Sequence, residues 1–215
     1  MFSQYTYHEV GKNNDQNRGK INDHLHRPII SIEFDQKEPF CRVAELGNTG
    51  IKSYWFRIRV KNNGKTVAKS CIGKLMEIKD KDNIILTTFD PSALRWVAFK
   101  EIEELAINER KYNGWLRKIG TLDINRGEYE YLDIVYSREK NDGMGWGDKG
   151  GNDTNLHICI TDRTPRGIKA YLERIGTYSL KITIYVENAD PYTREFRLEW
   201  SGEWDKVKMS MLPEK

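Results

Sequence analysis

From Tyr54 to Lys61 every second residue is apolar, Tyr54, Phe56, Ile58 and Val60, and the residues between them are Trp55, Arg57, Arg59 and Lys61. Period two puts alternate side chains on opposite faces of an extended chain, so the run predicts a β-strand with one face in a core and the other in water. Asn62-Asn63-Gly64-Lys65 follows, and Asn and Gly tolerate the left-handed backbone that a tight reversal needs. Thr66 to Ile78 is then expected to return as a second strand through Val67, Ala68, Cys71, Ile72, Leu75 and Met76. A change of parity near Gly73 predicts a bulge.

The same alternation recurs at Ile29 to Phe34, Leu156 to Ile160, Tyr178 to Val186 and Phe196 to Trp200, with Asp190-Pro191 read as the turn between the last two. Leu94 to Phe99, Trp115 to Ile124 and Tyr129 to Tyr136 are also strand-like, the last with Leu132, Ile134 and Tyr136 on one face. Helical spacing is confined to two short segments, 101–110 and the run from Thr164-Pro165 through Ile168, Tyr171, Leu172 and Ile175 to Gly176. A parallel α/β sheet needs a helix between successive strands. The expected class is therefore all-β: one antiparallel immunoglobulin-like β-sandwich with long loops and one or two short helices.

Residues 1–27 are rich in Asn, Asp, Gln and Lys and lack periodicity, so they are expected to form a flexible polar arm ahead of a single sandwich domain at 28–215. Apolar residues make up only 38% of the chain, but six Trp, eleven Tyr and seven Phe concentrate apolar area in large side chains, enough to build a core. No apolar run approaches the about 18 residues of a membrane-spanning helix. Residues 1–26 lack the apolar stretch of a secretory signal, and a cytoplasmic location is expected. Cys41, Cys71 and Cys159 lack CxxC spacing and read as small buried hydrophobes in a reducing compartment, with a Cys41 to Cys71 bridge left open for an oxidising one.

Two segments resemble known families. Gly176-Thr177-Tyr178-Ser179-Leu180-Lys181-Ile182-Thr183-Ile184 is similar to the penultimate strand of immunoglobulin-like and fibronectin type III domains, and the resemblance implies that the Tyr178 hydroxyl pins the preceding corner. Phe56 to Ala68, with its Asn-Gly turn, resembles the bacterial cell-adhesion-related (CARDB-like) Ig-fold modules. It also looks like prokaryotic proteins in which such a sandwich stands behind membrane helices, a pattern from which this chain departs. The resemblance implies a sandwich and no catalytic residue.

Four groups of residues are candidate sites. The stripe Trp55, Arg57, Arg59 and Lys61, joined across the turn by Lys65, Lys69 and Lys74, could track phosphates and stack a base, although a net charge of +3 from 35 Lys and Arg against 32 Asp and Glu favours a solvated sheet face. His24 with His26, and His157 with Cys159, have the i, i+2 spacing of strand-borne ligands, but known zinc-site spacings are missing. A Cys159–His157 dyad lacks an orienting third group, and Glu101, Glu103 and Glu104 read as solvated charge. The glycine-rich loop 141–153 fits neither an EF-hand nor a phosphate loop, so Asp142, Asp148, Asn152 and Asp153 are not assigned a metal. Its Met144 and Trp146 are large apolar groups of the sort interfaces use as anchors.

The expected function is a non-enzymatic interaction module, binding a protein partner through sheet edges or loops, with self-association through Trp146 as one form of this. No metal or cofactor is expected. The alternative is a nucleic-acid-binding sandwich that uses the stripe from Trp55 to Lys61.

Overall fold

The computed structural model describes residues 27–45, 50–86, 91–97, 120–139, 156–160, 171–172 and 174–214. In chain order its strands are β1 (Ile30–Glu33), β2 (Cys41–Glu45), β3 (Lys52–Asn62), β4 (Ala68–Asp80), β5 (Ser92–Ala93), β6 (Arg95–Trp96) and β7 (Leu122–Ile124). They continue with β8 (Tyr129–Arg138), β9 (Leu156–Ile158), β10 (Tyr171–Leu172), β11 (Gly176–Val186), β12 (Ala189–Trp200) and β13 (Lys208–Met211).

These strands form two sheets in which every pairing is antiparallel. The first runs β1-β3-β8-β9-β10, with β2 beside β1 along β3 and β6 on β8; the second runs β13-β12-β11-β4-β5, with β7 on β4. Phe56, Ile58, Val60, Leu132 and Val135 of the first sheet and Leu75, Ile78, Leu180, Ile182, Ile184, Phe196 and Leu198 of the second belong to one buried cluster. Burying a side chain of this size contributes about 1.5–3 kcal/mol, so this inner layer is what holds the sheets face to face. The all-β antiparallel class read from the alternation is the class of the structure.

The strands at 54–62 and 68–80 do not form the expected hairpin. β3 pairs with β1, β2 and β8, whereas β4 pairs with β11, β5 and β7, so the Asn62-Asn63-Gly64 segment carries the chain from one sheet to the other. Local turn chemistry is the same for a hairpin and for this crossing; the choice is made by the partners. The register does shift near Gly73: Gly73 itself pairs with Ile184 on the inner face, and irregularities flank it, one between Ala68 and Cys71 and one at Met76, opposite the Lys181/Ile182 step. At the first, Ser70 has φ 50° and is held by its N–H on Asp123 Oδ1 (2.7 Å) and its hydroxyl on Glu187 Oε2 (2.9 Å).

Three further readings are corrected. Tyr171 and Leu172 pair with His157 and Leu156 as β10, so the end of the helix expected up to Gly176 is extended, and Ile175 is 70% exposed. The β11–β12 turn lies at Glu187–Asn188, and Asp190-Pro191 sits inside β12 where the register shifts, a place in a ladder that tolerates a missing N–H. In β8 the register slips at Ile134, so Tyr136 leaves the face of Leu132 and lies opposite Trp55. The segments 101–110 and 164–170, and the arm before Arg27, lie outside the described residues.

Candidate functional site

β3 is flanked on both sides, by β1 and β2 on one edge and β8 on the other, and this decides the fate of its polar stripe. Trp55 is 3% and Arg57 7% exposed, while Arg59 and Lys61 are partly buried. The face expected to be wet is thus covered over its first half, and a surface that stacks a base on Trp55 is excluded for the chain in this conformation.

Trp55, Arg57 and Arg59 are each engaged by side chains of neighbouring strands. Trp55 and Tyr136 stack with centroids 4.4 Å apart at 16°, and Tyr136 stacks in turn on His157 at 4.8 Å and 13°. The Trp55 Nε1–H donates to Ser53 Oγ at 2.7 Å, and that hydroxyl donates to the Ala44 carbonyl at 2.7 Å. One step along, Arg57 meets Asp133 at 3.2 Å, and Arg95 of β6 approaches the same carboxylate at 3.7 Å. Asp133 is fully buried, so two guanidiniums beside it are what make its burial tolerable. The Arg95 guanidinium also lies 5.5 Å over the Trp55 ring. Arg59 pairs with Glu33 of β1 and stands 5.0 Å over Tyr129 and 5.4 Å over Phe40. The stripe is therefore a cross-strand lattice that joins β1, β3, β8, β6 and β9, with its charges largely spent inside the protein.

The other predicted features are dispersed. Lys74 lies over the Tyr185 ring in the second sheet, and Lys65 and Lys69 line a recess described below, so neither continues the stripe. His157 is committed to the ring stack. Met144, Trp146, His24, His26 and Glu101 to Glu104 lie outside the described residues. Among the described residues, no group of three or more His, Cys, Asp or Glu is placed to hold a metal. No helix among them is long and apolar enough to cross a membrane. Cys41 and Cys71 are buried thiols pushed up to about 11, chiefly by burial, opposed for Cys41 by a hydrogen bond from Tyr54 and reinforced for Cys71 by Asp123. Burial, with Cys159 nearby, also raises the Tyr136 phenol.

The sheet edges on one flank contrast. β13 is the outermost strand of its sheet, and the side-chain amide of Gln36 pairs with it as a strand would: Nε2 donates to the Val207 carbonyl at 3.1 Å, and Oε1 accepts the Met209 N–H at 3.0 Å. Phe34, beside Gln36, packs edge-on against Phe40 at 6.0 Å and Phe196 at 6.3 Å, which ties the same corner to both sheets. β2, by contrast, pairs among the described residues with β3 alone. Arg57 N–H donates to the Phe40 carbonyl at 2.9 Å, so positions 40, 42 and 44 face β3 and the peptide groups of Val43 point away from it. The Val43 side chain is 54% exposed.

Gln36, Asp133 and Val43 were not singled out in the sequence. Asp133 alone carried a signal, an acid between Leu132 and Ile134 in a strand that must be buried on one face.

At the other end of the second sheet the Tyr178 hydroxyl donates to the Arg174 carbonyl at 2.5 Å, the corner bond that the resemblance implied. That bond is a property of the corner and carries no family assignment. No family model matches the chain, and no curated protein matches it. Among solved structures it is similar to the X-ray structure of Northeast Structural Genomics Consortium target SoR45, at 12% identity over 84% of this chain and 90% of that one, with a TM-score of 0.29. At that score the likeness carries no weight for fold or function.

Proposed function

We propose that the chain is a non-enzymatic interaction module, an immunoglobulin-like sandwich that takes an extended segment of a protein partner onto the open edge of β2. The supporting observation is the Val43 peptide turned away from β3 beside a half-exposed apolar side chain, on a flank where the neighbouring edge strand, β13, is already engaged by Gln36. An edge of this kind supplies main-chain hydrogen bonds for affinity, and alternate side chains supply selectivity. What supports the non-enzymatic reading is that, among the described residues, the buried Asp133 carboxylate is engaged by Arg57 and Arg95 within the first sheet and not turned to an open space.

Val43→Pro tests it, because proline removes the outward N–H and leaves the β3 ladder intact. Peptides selected on the full-length chain from a phage-displayed random library should lose binding to Val43→Pro, while its far-UV circular dichroism and melting temperature stay close to the parent's. Equal binding by the variant, or failure of the library to yield a binder, overturns the reading. So does a β2-paired homodimer that Val43→Pro dissociates, since the occupant of the edge is then a second copy.

A further inference from the structure

A recess of about 670 Å³ opens where the chain crosses between sheets, lined by Arg27, Lys65, Lys69, Arg126, Asn188 and their neighbours Pro28, Thr66 and Val67. Among the described residues four cations line it and no carboxylate does. All four are exposed, and none makes an ion pair among the described residues. Several cations elsewhere in this molecule are paired: Arg57 with Asp133, which Arg95 also approaches, Arg59 with Glu33, and Arg194 with Glu214. Acids do stand near the rim, but they are turned to other work, Asp123 and Glu187 on Ser70, and Glu128 on the Asn125 amide.

The cations sit on separate segments that one buried side chain holds together. Asn62 is fully buried, and its amide makes four hydrogen bonds: Oδ1 accepts from Ile29 N–H (3.3 Å) and Gly64 N–H (3.0 Å), and Nδ2 donates to the carbonyls of Thr66 (2.7 Å) and Ile124 (3.0 Å). Its own carbonyl accepts from Gly127 N–H at 2.8 Å and its N–H donates to Glu128 O at 3.0 Å, which secures the turn that carries Arg126. Gly64 permits the closest approach, because a Cβ there would stand 2.5 Å from the Arg27 carbonyl and 2.4 Å from Ile29 N. Lys69 is fixed by its N–H on Asn188 Oδ1 at 3.0 Å, while Asn188 Nδ2 holds the Val67 carbonyl at 2.9 Å.

We propose that this recess is a binding site for an oligophosphate anion, either free or as the tail of a nucleotide. Four like charges on one recess, none of them ion-paired among the described residues, repel one another, and an anion of several negative charges relieves that repulsion while taking charge-assisted hydrogen bonds from two guanidiniums and two ammoniums. The volume is that of a small-molecule site. Among the described residues no aromatic side chain lines it, which favours a compact phosphate group over the stacked bases of a nucleic-acid strand.

Isothermal titration calorimetry of the full-length chain at low ionic strength, with tripolyphosphate, ATP and adenosine as separate titrants, tests the proposal. Tripolyphosphate and ATP should bind with one-to-one stoichiometry and adenosine should give no heat. Lys65→Gln with Arg126→Gln should weaken both by about tenfold or more. Lys181→Gln with Lys208→Gln removes the same net charge from exposed positions away from the recess and should leave the affinity unchanged. Three outcomes overturn the site: no binding of tripolyphosphate, equal weakening by the two double variants, or an oligonucleotide that binds more tightly than ATP and gains affinity with length. Because Val43 is not among the lining residues, Val43→Pro should bind tripolyphosphate as the parent does, so failure here and failure of the β2 reading are distinguishable.

Discussion

Leu132 of the first sheet packs directly onto Gly73 of the second: a Cβ on Gly73 would lie 2.3 Å from one Leu132 methyl and 3.1 Å from the other, with Ile184 Cδ1 at 3.3 Å. The two sheets approach here to a distance that excludes a single methyl group. Gly73→Ala should therefore destabilise by about 1–3 kcal/mol, the usual cost of overpacking, despite the better strand propensity of alanine. Trimming Leu132 to Val in the same chain should recover part of the loss. Urea unfolding of the two variants checks this, and an unchanged midpoint for Gly73→Ala would mean that the sheets are not in this contact.

Asp133→Ala should cost about 3–5 kcal/mol, because it leaves the Arg57 guanidinium buried without the carboxylate that faces it. The double replacement Arg57→Met with Asp133→Leu should be much less harmful than Asp133→Ala, since an apolar pair of similar volume leaves no uncompensated charge. A double-mutant cycle by chemical denaturation separates these outcomes. Additive effects would show that the two side chains are not coupled.

Asn62→Ala should remove four hydrogen bonds at once and leave the peptide groups of Ile29, Gly64, Thr66 and Ile124 short of partners, those of Gly64 and Ile124 in buried positions. Each such group costs about 1–3 kcal/mol when buried, so the loss is several kcal/mol unless water enters. Amide hydrogen exchange should accelerate first at Ile29 and Gly64, before the centre of β11. Uniform acceleration across both sheets would contradict the role of Asn62 as a local tie.

The thiols of Cys41 and Cys71 ionise near pH 11 in the folded chain, against 9.0 for an unperturbed thiol. At pH 8 only about one such thiol in a thousand is thiolate, so alkylation of the native protein at these two sites should be slow and should become fast on denaturation. The same shift sets a pH dependence. Between about pH 9 and pH 11 the unfolded chain loses these protons while the folded chain keeps them, so stability should fall as pH rises through that window, and it should gain nothing from them below it. Melting temperatures at pH 8, 9 and 10 for the parent and for Cys41→Ala with Cys71→Ala check the sign; the double variant should show the shallower decline.

The Tyr178 hydroxyl bond to the Arg174 carbonyl closes the corner before β11. Tyr178→Phe removes that donor alone and should lower stability by about 1 kcal/mol. The measurement is again the unfolding midpoint, and a neutral result would assign the anchoring of this corner to ring packing.

Alternation determined most of what the sequence determined by itself. Tyr54 to Val60, Leu180 to Val186 and Phe196 to Trp200 each show their inner face in a period of two, because a strand buried on one side admits no other pattern, and from this the all-β antiparallel class follows. The corner bond of Tyr178 was legible only through the resemblance of its strand to that of immunoglobulin-like domains, and its partner lies one corner away in the chain. What the tertiary structure alone decided was partnership. Asn62-Asn63-Gly64 has the chemistry of a turn whether the next strand pairs with β3 or leaves for the other sheet, and Asn62 became a buried tie only because β1 and the turn at 125–128 arrive beside it. Arg57 reads as a solvent-facing cation until Asp133, brought from a distant strand, pairs with it in a buried position. Backbone dihedrals and side-chain periodicity are short-range properties that neighbouring residues impose. Burial of a charge, and the pairing of an edge strand such as β2, depend on which distant segments come to lie against it.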